Sequence, residues 1–208
     1  MFIVLEGLDG SGKSTQAKNI VECIRENCPG RKIILTREPG GTFMHVSESI
    51  REILLKNDMN DYTRALLYAA SRYEHQLQIK KWIEHGFIVI CDRYIYSSLA
   101  YQSNDELSME EIMQINRYDD IIKPDHVLFF RINIDTYRRR KEARSKEREL
   151  DSIETKPDEF FLKTITNYGK ALEYEWSKII EIDANKSIEE VTSNTLNIID
   201  DLLKEENQ

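Results

Sequence analysis

The sequence holds little cysteine, proline or tryptophan: three, four and two residues in a chain of 208. Cys23, Cys28 and Cys91 are odd in number and lack C-x-x-C spacing. That argues against a disulfide framework or a zinc site and for a reducing setting, the cytoplasm. The four histidines, His45, His75, His85 and His126, are scattered without metal-ligand spacing. Eight glycines and four prolines are too few for a low-complexity chain, and 40% hydrophobic residues are too many for a disordered one. Long apolar runs are missing as well. Stretches such as Phe87–Cys91 run for about five residues, whereas a membrane-spanning helix needs roughly 20, so no membrane partner is expected. Met1–Glu6 has neither a basic region nor a small-residue cleavage site, which predicts no signal peptide. Positive charge is in deficit, 29 Lys and Arg against 37 Asp and Glu, a net −8. This balance argues against a nucleic-acid surface. It leaves room for a small anionic ligand gripped by a few well-placed cations.

What is present is an alternation of short β-type runs and longer helical patterns. Phe2–Glu6, Lys32–Thr36, Phe87–Asp92, His126–Ile132 and Lys178–Asp183 read as strands. Helical spacing covers about 13–27, 46–57, 61–85, 93–118 in two pieces, 135–148, 157–176 and 187–204. Phe87–Cys91 is apolar at every position, as a strand covered on both faces requires, and Gly86 ends the helix before it. The pattern predicts an α/β fold, a doubly wound five-stranded parallel sheet with helices on both faces. Neither a repeat nor a linker-like stretch interrupts it, which predicts one domain over 1–208. Ligands of such sheets gather beyond the carboxyl ends of the strands, and each motif below begins at such an end.

Gly7-Leu8-Asp9-Gly10-Ser11-Gly12-Lys13-Ser14, followed by Thr15, fits G-x-x-x-x-G-K-[ST] between a strand and a helix. The glycines let backbone N–H groups turn inward around phosphates, and the helix N-terminus adds free donors and a positive dipole end. Lys13 can reach the β and γ phosphates, and Ser14 can bind Mg²⁺. A GTPase would need N-K-x-D to grip guanine; the nearest string, Asn185-Lys186-Ser187-Ile188, lacks the aspartate.

The third strand ends in Asp92-Arg93-Tyr94-Ile95-Tyr96-Ser97-Ser98-Leu99-Ala100-Tyr101-Gln102. Asp92 stands where a second carboxylate can hold magnesium or its water, and Arg93 offers a fork suited to a phosphate. On a helix, Tyr94, Ser97, Ser98 and Tyr101 share a face, and a polar-aromatic face beside an arginine suits a nucleoside. Tyr68 and Arg72, four apart, can present a stacking ring and a guanidinium for a base carbonyl. The second strand ends in Thr36-Arg37-Glu38-Pro39-Gly40-Gly41-Thr42, where Pro39 and the glycines force a turn and leave Arg37 and Glu38 at the sheet edge. Arg51 follows on a helix with apolar Ile50, Ile53 and Leu54.

These three blocks, in this order and spacing, resemble the bacterial thymidylate kinases, a branch of the P-loop nucleoside monophosphate kinases. The resemblance implies phosphoryl transfer from ATP to dTMP with Mg²⁺, in the service of dTTP synthesis, in a homodimer. Carried over residue by residue, it implies that Asp9 meets the deoxyribose 3′-OH and that Arg93, with Arg51, meets the acceptor phosphate. Tyr68 stacks on thymine and Arg72 bonds the base carbonyl, with Ser98 and Gln102 nearby. Tyr101 crowds the 2′ position, and Glu38, Pro39 and Ser97 complete the acceptor site. Gly7 to Thr15 cradle ATP, and Ser14 and Asp92 serve Mg²⁺. Asp183-Ala184-Asn185 lies at an adenine edge. The run 138–148 fits a flexible lid, about 138–156, that supplies catalytic arginine where Gly10 supplies none, although such a run also describes a solvated helix face.

Three departures stand out, one of them a lid a few residues longer than the family's. The family's Asp-Arg-x-Glu reads Asp151-Ser152-Ile153-Glu154 here, so Arg148 or Arg144 replaces that guanidinium or it is not needed. Phe43–Glu48 runs about two residues longer than its counterpart, which bears on the reach of Arg51. Two alternatives stay open on the residues alone: a broader deoxynucleoside monophosphate kinase, and a non-catalytic nucleotide-binding regulator on the same fold.

Overall fold

The structure, a computed structural model, describes residues 1–147, 149, 153–174 and 177–206. Its strands are β1 (Phe2–Gly7), β2 (Lys32–Arg37), β3 (Phe87–Asp92), β4 (His126–Arg131) and β5 (Lys178–Asp183). They form one parallel sheet in the order β2-β3-β1-β4-β5. Strand β1 is buried along its whole length. Its apolar side chains serve both faces, and with β3 and β4 they hold the centre of the core: Ile3, Val4, Leu5, Val89, Ile90, Val127 and Leu128 are fully covered. Burying each such side chain contributes about 1.5–3 kcal/mol.

The helices are α1 (Lys13–Asn27), α2 (His45–Lys56), α3 (Asp61–Glu84), α4 (Ile95–Gln102), α5 (Met109–Ile115), α6 (Ile134–Glu147), α7 (Asp158–Leu172) and α8 (Ile188–Glu205). Helices α1 and α8 pack on each other and on the sheet, while α3, α4 and α7 form a second packed group against it. Local chemistry sets several of the ends. The Asn60 side chain accepts from Thr63 N–H at 2.8 Å to start α3, and Ser187 with Glu190 closes a capping box at α8. Gly86, at φ 75°, turns the chain from α3 into β3. Among the described residues no helix is long and apolar enough to cross a membrane.

One expected element is corrected. The helix predicted from 93 begins at Ile95, because Arg93 is left-handed at φ 72° and Tyr94 is extended. The cause lies on another strand: the buried Glu6 carboxylate accepts from the backbone N–H of Tyr94 at 2.8 Å and of Ser97 at 3.1 Å. It thereby does a capping residue's work from outside the helix. Tyr94 is therefore not on a helical face with Ser97, Ser98 and Tyr101. Helix α7 also stops at Leu172, short of the predicted 176, with 175 and 176 outside the described residues.

The parallel order brings the ends of β1, β2 and β3 together. Register pairs Leu5 and Arg37 each with Asp92. The chain leaves β1 toward β2 on one side and later toward β4 and β5 on the other, so β1 marks the topological switch where a ligand crevice opens.

Candidate active site

The loop after β1 turns back tightly on itself before α1. Gly7 sits at φ 143°, and a Cβ there would come 2.6 Å from the Phe130 carbonyl oxygen. Gly12 caps α1 in a left-handed conformation, so the first-turn N–H groups of α1 open onto the loop. Lys13 is buried, donates to Leu8 O at 3.3 Å and lies 3.8 Å from Asp9 Oδ1. Burial first and Arg93 second depress its pKa; such an ammonium lacks a full complement of counter-charge. Ser14 Oγ donates to Asp92 Oδ2, and Asp92 Oδ1 is buried with no partner among the described residues. A hydroxyl beside a carboxylate with an unused oxygen is a hard-donor set that fits Mg²⁺, an ion that takes one or two protein oxygens and fills its sphere with phosphate and water.

Two arginines of α6 reach this loop. Arg140 donates from Nη1 to Gly10 O at 3.0 Å and Ser11 O at 3.2 Å, and from Nη2 to Ala184 O at 2.8 Å. It ties the loop to the turn after β5, and the cavity between them is lined by Gly10, Ser11, Gly12, Arg140, Lys186 and Ile188 among others. Arg144 lies where a side chain at Gly10 would be, its guanidinium in the space a Cβ would fill. Its Nε donates to Glu154 Oε1 at 3.0 Å, while Nη2 is buried without a partner among the described residues. Both loop and guanidinium thus present unused donors to the same space, which fits a polyphosphate.

A second cavity opens at Asp9 of the same loop. It is lined by Asp9, Glu38, Pro39, Arg51, Tyr68 and Arg72, and by Arg93, Ser97, Ser98, Tyr101 and Gln102. The structure thus brings together all the residues predicted for the acceptor; Leu55, Tyr94 and Ile153 complete the wall. Asp9, Glu38, Arg51 and Arg93 also line the cavity that holds Lys13, Ser14 and Asp92, so the two spaces meet at these four side chains. Despite the longer 43–48 stretch, Arg51 reaches the site and donates to Pro39 O at 2.9 Å.

Arg93 is the hub of this junction. Nη2 donates to Asp9 Oδ1 at 2.6 Å and to Tyr101 Oη at 3.3 Å, and Nη1 to Ser97 Oγ at 2.9 Å and Tyr168 Oη at 3.2 Å. The guanidinium lies 4.9 Å from the Tyr101 ring centre, a cation–π contact. Burial works to raise the Asp9 carboxyl, but Arg93, Lys13 and two side-chain hydrogen bonds outweigh it and hold Asp9 well below the usual range. Asp9 is a carboxylate throughout the physiological range. In the other half of the cavity Arg72 is buried. Nε donates to Glu38 Oε2 at 2.7 Å, Nη2 to Ser98 Oγ at 2.8 Å and Tyr94 O at 3.3 Å, and Nη1 to Asn116 Oδ1. Of its five N–H groups, this leaves one on Nη1. Gln102 donates to Ser98 Oγ at 3.3 Å and its Oε1 is buried without a partner among the described residues.

The profile of the family described as Thymidylate kinase matches residues 5–195. The chain belongs to the thymidylate kinase family. It is 39% identical over 196 residues to a thymidylate kinase from Exiguobacterium sp., covering 91% of this chain and 89% of that protein. It is 41% identical over 200 residues to a probable thymidylate kinase from Pyrococcus abyssi, covering 91% of each. Among solved structures it resembles the thymidylate kinase from Ehrlichia chaffeensis, with a TM-score of 0.72 and 27% identity over 96% of this chain and 98% of that one.

Several residues of this thymidylate kinase site escape a sequence reading. Glu6 accepts from Ser97 Oγ at 2.6 Å and Tyr168 Oη at 3.0 Å besides the two backbone groups. Its pKa is raised by burial against the pull of Arg93. The available signal was one acid at the end of an otherwise apolar strand. Asn116 and Tyr168 have no local signal; they meet the site across 44 residues from Arg72 and 75 from Arg93. Of the lid arginines, Arg144 is at the loop, whereas Arg148, like Asp151 and Ser152, lies outside the described residues.

Proposed function

We propose that this thymidylate kinase transfers the γ-phosphoryl group of ATP, bound with Mg²⁺, to dTMP, yielding dTDP and ADP. The observation that carries the reading is that the space holding Lys13, Ser14 and Asp92 meets the cleft lined by Tyr68 and Arg72 at Asp9, Glu38, Arg51 and Arg93. An acceptor phosphate oxygen attacks the γ phosphorus in line while the bond to the β–γ bridging oxygen breaks and ADP departs with those electrons. A phosphate monoester oxygen is already a competent nucleophile, so no side chain serves as general base. Catalysis then rests on positioning and charge. Lys13 faces the donor phosphates, Arg93 and Arg51 hold the acceptor phosphate, and Arg144 meets charge developing between them. Asp9 keeps Arg93 aimed. Ser14 and Asp92 would hold Mg²⁺, which would neutralise donor phosphate charge. The segment 138–156 serves as a lid on a single domain, and its closure excludes water.

The pocket chemistry favours thymine. Arg72 offers a spare N–H and Gln102 a spare acceptor oxygen, which complements a carbonyl beside an imide N–H and opposes cytosine's amine beside a bare nitrogen. Tyr68 supplies the stacking ring and Tyr101 crowds the sugar's 2′ position. ADP formation measured with dTMP, dUMP, dCMP, dGMP and AMP tests this. The expected result is kcat/KM for dTMP above dCMP by at least about 10²-fold and above dUMP, which lacks one methyl group, by about 10–100-fold. Activity is expected to vanish with EDTA and return with Mg²⁺. No acceptor-dependent ADP sinks the kinase reading, and similar rates on several acceptors sink the narrow specificity.

We further infer a homodimer in the cytoplasm. Tyr62, Leu66 and Leu77 are exposed along one stripe of α3, and Val46 and Ile53 are exposed on α2 beside it. Exposed apolar side chains on two packed helices are suited to burial against a second copy of the chain. Sedimentation is expected to give twice the chain mass, and Leu66→Glu to give the monomer; a monomeric parent protein refutes the dimer.

A further inference from the structure

His75 has no part in the chemistry above, yet it is fully buried and both ring nitrogens are bonded. It stands three residues beyond Arg72 and seven beyond Tyr68, on the face of α3 that carries both. Nε2 lies 2.7 Å from Thr36 Oγ1, and Nδ1 lies 3.2 Å from Glu38 Oε1. The other oxygen of Glu38 takes the Arg72 Nε–H. The ring is gripped as well as bonded. A Cβ on Gly41 would come 2.7 Å from it, so the turn after β2 packs directly on the imidazole, and Trp82 meets it edge-on at 6.5 Å between ring centres.

Hydrogen-bond accounting assigns the proton. Thr36 Oγ1 already accepts the Thr42 backbone N–H at 3.1 Å, and its own hydroxyl proton has His75 Nε2 as its acceptor. Nε2 is therefore the lone-pair nitrogen and the proton is on Nδ1, aimed at Glu38. The opposite tautomer strands the hydroxyl proton and sets a lone pair against a carboxylate, and each is costly in a buried site. An imidazolium strands the same hydroxyl proton.

We propose that His75 is a positioning residue for the base pocket: its Nδ1–H occupies Oε1 of Glu38, so that Glu38 engages Arg72 through Nε alone and leaves the guanidinium forks turned toward Ser98, Asn116 and the acceptor base. Without that N–H, Oε1 has no donor among the described residues. The carboxylate then rotates to face the guanidinium with both oxygens, the arrangement an arginine–carboxylate pair favours, and the forks are drawn away from the base. The inference rests on Arg72 reading the base, as proposed above.

The test compares His75→Leu, which removes both bonds, with His75→Asn, whose amide N–H stands close to the Nδ1 position, and with Arg72→Lys as the control. For His75→Leu the expected result is a KM for dTMP raised about tenfold and a reduced preference for dTMP over dCMP, as for a buried carboxylate oxygen losing its donor. The KM for ATP stays unchanged, and His75→Asn recovers most of the loss. Arg72→Lys is expected to raise the dTMP KM at least as far. If Arg72→Lys moves dTMP binding and a folded His75→Leu does not, the positioning role is wrong. If the KM values for dTMP and ATP rise together, His75 is packing only and the proposal falls. If neither variant moves dTMP, the acceptor-pocket reading itself fails. Nitrogen NMR of the wild-type imidazole gives a readout that needs no variant: an Nδ1–H tautomer supports the assignment, and an Nε2–H tautomer or an imidazolium at neutral pH overturns it.

Discussion

Arg144→Ala is expected to lower kcat by about 10³-fold or more, the value of an arginine placed on a transferring phosphoryl group, with the KM for dTMP nearly unchanged. The side chain is already at the cradle. Gly10 has no Cβ to occupy the space that its guanidinium fills, and Glu154 holds Nε from behind. Its buried Nη2 has no partner among the described residues. A guanidinium held in place before the reaction reorganises little during it, so its interaction energy goes to the transition state rather than to ground-state binding. Steady-state kinetics and single-turnover ADP formation measure the loss. Arg148→Ala is the companion variant. A fall of less than about tenfold for Arg144→Ala, roughly 1.4 kcal/mol of barrier, removes Arg144 from the chemistry. A large fall for Arg148→Ala alone moves the role to that residue.

Lys13→Ala is expected to cost about 10²–10³-fold in kcat and to leave the fold intact. The second half of that expectation follows from the electrostatics. Burial and Arg93 depress the pKa of Lys13, so the charge is poorly accommodated until a polyanion arrives. Asp9 loses part of its counter-charge with Lys13 but keeps the hydrogen bonds from Arg93 and Tyr101 to both carboxylate oxygens. Thermal unfolding of the free variant is therefore expected at or above the wild-type temperature, while the stabilisation given by added ATP shrinks. Near-normal kcat contradicts the cradle assignment. Normal kcat/KM with a lower melting temperature gives Lys13 a structural role instead.

The strands were legible to within a residue or so, because apolar β-type runs bounded by turns have one economical reading in a two-sided parallel sheet. The tight loop between β1 and α1 was legible because its glycines are local. The acceptor residues read from the Thr-Arg-Glu-Pro-Gly-Gly and Asp-Arg-Tyr blocks do line one cavity. What sequence could not show is the support behind them. Glu6, Tyr168, Asn116 and His75 act through contacts that exist only after the sheet closes, and nothing in a local pattern distinguishes a buried tyrosine that bonds Arg93 from one that fills space. The misplaced helix start has the same origin, since the group that caps the chain after Arg93 belongs to a strand 88 residues earlier. Arg140, one basic residue in a run of them, likewise gives no local hint that it will bind backbone carbonyls on two separate loops.

The left-handed backbone of Arg93 has an evolutionary consequence. A non-glycine residue held at φ 72° carries about 1–2 kcal/mol of strain, and glycine is the replacement that relieves it. That same replacement deletes the guanidinium joining Asp9, Ser97, Tyr101 and Tyr168. Removing one partner of its largely buried ion pair with Asp9 costs about 3–5 kcal/mol, more than the strain relieved, so the strained backbone and the guanidinium are retained together. Stabilised descendants of the chain must gain their robustness elsewhere, leaving this position as a fixed cost of phosphoryl transfer.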